Sequence, residues 1–179
     1  MNIHPLFVHF PIGLLAVYSI LELATGVSSC IRKQAWLFSV KAFLLFVGAL
    51  GAFAALFTGG LAEDLIRHTN PNAFILKVHA PAAGITTALY LVLCAAYLVR
   101  IFDTKGWGDR IVGTNRFLGS LWSLKKRFWY TILNSWLLPL IALLAFVGLT
   151  VTGALGAAIV YGPNADPLVA FVYHLFWVQ

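Results

Sequence analysis

The chain has 179 residues, of which 61% are hydrophobic and only 10% are charged, and its formal net charge is +6. Soluble domains usually contain about 45–50% apolar and about 25% charged residues. This composition therefore excludes a soluble globular domain, a disordered chain and a nucleic-acid-binding module. At about 20 apolar residues per membrane crossing, the length allows about four spans and short loops. We therefore expect the functional groups to lie on membrane helices or at their ends.

Four apolar runs are long enough to cross a membrane, at residues 5–27, 35–61, 73–102 and 130–161. Because lipid offers no partner to an unpaired backbone group, each run is predicted to be a helix. The sequence thus predicts an all-α integral membrane protein, in which one domain forms a four-transmembrane-helix bundle. Two further segments, residues 116–129 and 166–179, are predicted to be short helices in the membrane interface.

Basic residues are concentrated in the first and third loops of this topology. Those loops and the adjoining span end hold Arg32, Lys33, Arg100, Lys105, Arg110, Arg116, Lys125, Lys126 and Arg127. Loops rich in lysine and arginine stay in the cytoplasm. We therefore predict a multi-pass protein of the bacterial inner (cytoplasmic) membrane with both termini on the outer, periplasmic side.

The two halves of the chain contain similar short segments. Residues 8–13 (VHFPIG) resemble residues 78–84 (VHAPAAG), and residues 58–61 (TGGL) resemble residues 152–155 (TGAL). The pattern predicts two duplicated helical hairpins, related by an axis along the membrane normal. In that arrangement His9 and His79 lie at equivalent depths.

All five histidines fall on the predicted outer side: His4, His9, His68, His79 and His174. Ionisable residues at membrane depth are candidates for function. His9 and His79 each lie two residues before a proline, near the positive end of a helix, which favours the neutral, metal-binding imidazole. Two such rings on facing helices could act as axial ligands of a b-type haem in a bundle core.

Other roles remain open for each histidine. His9 and His79 could be interfacial or capping residues, could bond neighbouring helices, or could contact another metal or a quinone. His4 could be a helix-start residue, a propionate partner or a second ligand. His174 could cover the site or contact a partner, and either residue is a candidate cofactor contact. His68 is expected on a surface loop.

Glu22 and Lys41 lie at similar depth in the first and second spans. We predict that they form a buried or half-buried structural ion pair, with a proton relay as the alternative. Their charges occupy one depth only, so the sequence predicts no polar route across the membrane. Zinc-binding spacings, phosphate-binding loops and paired nucleophiles are missing from the sequence, which gives no support to hydrolase or transferase chemistry.

The opening of the chain, residues 4–14 (HPLFVHFPIGL), resembles a family of small bacterial membrane proteins, domain of unknown function 2231. Members of that family typically begin HPxxVHFPIxL. Residues 152–162 (TGALGAAIVYG) are similar to the TGxxGGxLVYxxG-like stretch in the family's last span. The resemblance implies that His4, His9 and Pro11 are motif residues.

This chain departs from the family pattern at two positions of the last span. Family members often carry a histidine where this chain has Ala154 and a second glycine where it has Ala157, so a site built on that histidine is not carried over. Some members are linked to Rieske or c-type cytochrome modules. The resemblance therefore implies redox proteins as partners.

The sequence is consistent with three functions. The first is a membrane-embedded electron-transfer subunit, which holds haem b near the outer face and passes electrons between an outer redox protein and a quinone or partner subunit. The second is a cofactor-free structural or assembly subunit of a larger membrane complex. The third, a metal-handling or transport protein, is the least favoured. In the first two cases the chain is an accessory subunit rather than a stand-alone enzyme.

Overall fold

The computed structural model describes residues 4–113 and 115–177, without the side chains of residues 4–7 and 116. Within those residues the chain is all-α. Its helices are α1 (His4–Val27), α2 (Ser29–Arg32), α3 (Ala35–Thr69), α4 (Leu76–Thr104), α5 (Trp107–Val112), α6 (Arg116–Leu133), α7 (Leu137–Tyr161) and α8 (Pro167–Phe176). Four of these, α1, α3, α7 and α4 with its preceding 3-10 turn, are long and apolar enough to cross a membrane.

The four long helices form a ring of neighbours. Helix α1 packs against α3, α3 against α4, α4 against α7, and α7 against α1. Helices α1 and α4 therefore occupy opposite corners of the bundle. The consecutive pairs α1–α3 and α4–α7 are the two hairpins that the repeated segments predict.

Glycines allow the first hairpin to close tightly. A Cβ atom added to Gly48 of α3 would lie 2.7 Å from Leu15 Cγ, and one added to Gly51 would lie 3.1 Å from Pro11 Cβ. Both contacts are closer than an ordinary Cβ contact, so a larger residue at either position would require the neighbouring side chain to shift. Small residues bring membrane helices together because lipid provides no hydrophobic force between them.

Three tyrosines fill the centre of the bundle. Tyr18 of α1 and Tyr90 and Tyr97 of α4 are at most 1% exposed. The Tyr18 ring meets the other two edge to face, with centroids 6.4 Å from Tyr90 and 6.0 Å from Tyr97. These rings span the diagonal between α1 and α4, and large apolar side chains such as Phe43 and Phe53 point outward. The outward apolar surface is suited to lipid.

The fourth spanning helix begins later than the sequence pattern predicts. Residues 130–133 belong to α6, and α7 starts at Leu137. Asn134 and Ser135 interrupt the helix, and the Ser135 hydroxyl accepts a hydrogen bond from the Leu137 amide at 3.3 Å. The apolar run was continuous in sequence, but these small polar residues end one helix and begin the next.

Two amphipathic helices lie at opposite ends of the bundle. Asn115 caps α6, and Lys126 of that helix donates to Asp103 of α4 at 2.9 Å. The hydrogen bond from Lys126 to Asp103 raises the pKa of the lysine. At the other end Asp166 caps α8, whose Val169 and Val172 are buried beside the end of α7.

Candidate functional site

Polar side chains gather at both ends of the bundle. We define the histidine end by the starts of α1 and α4, the ends of α3 and α7, and α8, because the helices place all five histidines there. We define the basic end by α2, α5, α6 and the start of α7. A candidate site occurs at each end.

His79 is the best-positioned histidine. Its half-buried ring packs against α7, where Nδ1 lies 3.2 Å from the carbonyl oxygen of Thr152. A Cβ atom at Gly156 would lie 3.3 Å from His79 Cε1, so a side chain there would press on the ring. An imidazole whose Nδ1–H donates to a carbonyl is fixed in the tautomer that binds metals through Nε2.

His9 lies in different surroundings. Its side chain is exposed on α1, whereas His79 is packed against α7. Because α1 and α4 occupy opposite corners of the bundle, the two histidines lie on diagonal helices, not adjacent ones.

The other histidines are less constrained. His4 begins α1, but its side chain lies outside the described residues. His174 is exposed on α8, with its ring edge to face with Tyr173 at a centroid distance of 5.6 Å. In the described part of the chain, no group of three histidine, cysteine or acidic residues is arranged to hold a metal ion.

The expected loop position of His68 is wrong. Helix α3 continues to Thr69, so His68 lies in its last turn, where it is exposed. An ion pair between Glu63 and Arg67, four residues apart, supports this extension. The helix ends at Thr69, and Asn70 adopts an extended conformation, since a proline such as Pro71 disfavours helical conformation in the residue before it.

The basic end holds a buried ionic network. Lys41 Nζ donates to Glu22 Oε1 and to Thr25 Oγ1, both at 3.0 Å. The hydroxyl of Tyr97 donates to the other carboxylate oxygen, Glu22 Oε2, at 2.5 Å. The network thereby joins α1, α3 and α4. Buried charges are tolerated only when they are paired and hydrogen-bonded, as both are here.

The spacing of the α1 residues explains why the network points inward. Tyr18, Glu22 and Thr25 follow one another at intervals of four and three residues, so they share one face of the helix. That face meets Tyr97 and Lys41 at the centre of the bundle. The tyrosines were missed by sequence reasoning, although Tyr90 and Tyr97 lie seven residues apart within an apolar span. Their position away from the usual interfacial belt was a usable signal.

Polar side chains continue beyond this network toward the histidine end. Ser19 Oγ and Tyr90 Oη are 2.9 Å apart, and Thr86 Oγ1 and Thr152 Oγ1 are 3.4 Å apart. The charges of Glu22 and Lys41 occupy one depth, and these hydroxyl groups add uncharged polar side chains at other depths. Among the described residues, the Tyr18 hydroxyl is the buried side-chain polar atom that has no hydrogen-bond partner.

A cavity of about 560 Å³ opens beside the ionic network. Its charged lining consists of Lys41, Arg32, Arg100 and one carboxylate, Glu22. Arg32 donates to the carbonyl oxygens of Thr25 and Gly26, at 3.0 and 2.9 Å. These hydrogen bonds satisfy two carbonyl groups at the C-terminal end of α1. The guanidinium of Arg100 lies 4.4 Å above the centre of the Phe38 ring. The sequence did not reveal this cavity, since its residues come from all four spanning helices, the α1–α3 connection and the α6–α7 turn.

These features define a multi-pass integral membrane protein with its surface in the lipid bilayer. Residues 1–165 match the model of a family described as "Predicted membrane protein (DUF2231)", and the chain belongs to this family. The family resemblance seen in the sequence is thus confirmed. No curated protein and no solved structure matches the chain.

Proposed function

We propose that the protein is a membrane-embedded electron-transfer subunit that binds b-type haem at the histidine end of the bundle. The observation that carries this proposal is the placement of His79. Its ring is half-buried between two spanning helices, and the Thr152 carbonyl lies within hydrogen-bond distance of Nδ1. Histidines that bind metals are usually oriented by a carbonyl or carboxylate in this way.

In this proposal His79 and His9 would hold the haem iron. The residues fit this chemistry in type, since both are imidazoles at the same end of the bundle. His9 is exposed on α1, which lies diagonally opposite α4 in the bundle. The second ligand is therefore a separate claim from the first. His4 and His174 are proposed as neighbours of the cofactor.

The bound haem supplies one-electron chemistry, and the protein tunes it. The Thr152 carbonyl would increase the basicity of the His79 ring, which is one influence on the potential of a haem iron. The basic loops orient the histidine end toward the periplasm of a bacterial inner membrane. Electrons would pass between an outer redox protein and a quinone or partner subunit.

Haem retention by single variants tests this proposal. The His79→Ala variant, expressed with ample haem and purified in mild detergent, is expected to lose the bound haem. The His9→Ala variant is expected to lose the low-spin spectrum because one of the two proposed iron ligands would be removed. The control is His68→Ala, at an exposed residue in the last turn of α3, which should retain the full haem content. Equal retention by His79→Ala and His68→Ala would disprove the assignment of His79.

A second function is favoured by the exposed face of α8. Leu168, Phe171 and Leu175 are each more than half exposed and share one face of this helix. A face of this kind suits docking to another subunit, as expected of a cofactor-free structural or assembly subunit. Copurification of a membrane partner that is lost in a Phe171→Asp variant, from protein without haem, would favour this second function.

A further inference from the structure

The cavity at the basic end has an excess of positive charge. Three cations and one carboxylate line it, and the carboxylate of Glu22 already binds Lys41 at 3.0 Å. The charges of Arg32 and Arg100 therefore remain for a further anion. Within the described residues, no carboxylate forms an ion pair with Arg100.

Both arginines retain hydrogen-bond donors. Arg32 uses Nε and one terminal nitrogen on the carbonyls that end α1. A guanidinium has five N–H groups, so further donors remain on this side chain. The guanidinium carbon of Arg100 lies 4.4 Å from the centre of the Phe38 ring, and this half-buried side chain lines the cavity. Planar guanidinium groups match the geometry of phosphate oxygens.

An apolar groove of about 280 Å³ lies next to the cavity on the lipid-facing surface. The groove runs between α1 and α7, and it shares Gly26, Trp136 and Pro139 with the cavity lining. Its far end is formed by Leu23 and Leu143. Gly26 keeps the two helices close there, because a Cβ atom at this position would lie 3.0 Å from Pro139 Cβ.

The charged cavity and the apolar groove together match one kind of ligand. An inorganic anion would fill only the cavity, and an uncharged lipid tail would fill only the groove. The exposed indole of Trp136, between the two, is typical of the depth where lipid headgroups begin. Basic pockets between membrane helices bind anionic headgroups. We propose that this site binds a phospholipid with a net negative headgroup, its phosphate at Arg100 and Arg32 and one acyl chain in the surface groove along α1 and α7.

Native mass spectrometry of the full chain in a non-ionic detergent tests the proposal. The protein is titrated with dioleoylphosphatidylglycerol and, separately, with dioleoylphosphatidylcholine, which has the same chains. The wild type is expected to bind the anionic lipid more tightly. Arg100→Gln should weaken that binding roughly tenfold and remove the preference, the usual effect of losing a charge-assisted hydrogen bond. The control is Arg127→Gln, at an exposed arginine of α6 outside the cavity lining, and it should behave as the wild type.

A variant that fills the groove tests whether an acyl chain binds there, and it leaves all charged residues unchanged. Leu143→Trp should weaken binding of both lipids, whereas Val147→Trp, one turn further along the exposed surface of α7, should not. Because residue 143 faces lipid, this variant remains informative if Arg100→Gln fails to fold. Equal affinity of the wild type for both lipids would overturn the proposal, as would equal effects of the two arginine variants. Displacement of the lipid by inorganic phosphate, with no effect of Leu143→Trp, would identify a free-anion site and would also overturn it.

Discussion

Lys41 Nζ lies 3.0 Å from Glu22 Oε1, and the two side chains are only 10% and 4% exposed. The pair joins the first hairpin at the level where Tyr97 reaches across from α4. In a membrane bundle this contact has two effects. It fixes the register of α1 against α3, and it places one wall of the basic-end cavity.

Breaking the Glu22–Lys41 pair from one side should be more harmful than removing both charges. Glu22→Ala leaves the ammonium of Lys41 buried without a carboxylate, and it should lower the free energy of unfolding by about 3–5 kcal/mol. The double variant Glu22→Leu with Lys41→Leu should recover much of that loss. Reversible unfolding in mixed micelles measures both. If the double variant were as unstable as Glu22→Ala, the ion pair would itself stabilise the fold, beyond each charge compensating the other.

Two buried tyrosines offer a matched comparison. Tyr97→Phe removes the hydroxyl that donates to Glu22 and should cost about 1.5–3 kcal/mol of unfolding free energy, as for hydrogen bonds to charged groups. Tyr18→Phe removes a buried hydroxyl that has no hydrogen-bond partner among the described residues. That change should be neutral or stabilising, since a desolvated polar group is lost. The free energy of unfolding of both variants is measured in mixed micelles. A larger loss of unfolding free energy in Tyr18→Phe than in Tyr97→Phe would contradict the stabilising role of the Tyr97 hydrogen bond.

The close approach of α1 and α3 should be sensitive to one methyl group. Gly48→Ala places a Cβ atom 2.7 Å from Leu15 Cγ and should destabilise the bundle by about 1–3 kcal/mol. Gly60→Ala, on the same helix, meets no heavy atom within 4 Å, so it should be neutral or slightly stabilising. Thermal denaturation in detergent compares the two variants. Equal effects would show that the hairpin is not closed at Gly48.

The attachment of α6 to α4 should depend on pH. The pKa of Lys126 is raised above its ordinary value of 10.5, chiefly by its hydrogen bond to Asp103. A raised pKa in the folded state means that the charged pair stabilises the contact below pH 10.5, and that this contribution is lost as the pH rises through the folded value. A spin label at the exposed Ser123 should therefore gain mobility above pH 10.5. In Lys126→Ala the label should already be mobile at pH 8, and a pH response that persists in this variant would rule out Lys126 as its source.

The sequence was sufficient for the membrane architecture because hydropathy alone determines where helices can cross lipid. It was less reliable at helix ends. The run from residue 130 to 161 did not predict that a new helix starts at Leu137, and His68 was assigned to a loop although it lies within α3. Both errors arise because hydropathy over the length of a span carries no information about capping residues and ion pairs outside the lipid.

The sites illustrate a different limit. Glu22 and Lys41 could be paired from depth alone, because a lone charge in lipid has few alternatives. The role of Tyr97 and the cavity near Arg100 depended on which helices are neighbours and which are diagonal, and no local pattern encodes that arrangement. The exposure of His9 and the packing of His79 on α7 have the same origin. Equivalent positions in two similar segments gave the two histidines unlike surroundings.

A dithionite-reduced minus oxidised absorption spectrum is the most direct test of the proposal that the histidine end binds haem. The measurement uses the full chain, expressed with ample haem and purified in mild detergent. We predict a b-type α band with a low-spin signature in the wild type. This band should be absent from the His79→Ala variant. A flat spectrum from folded wild-type protein would contradict the claim and favour the structural or assembly function.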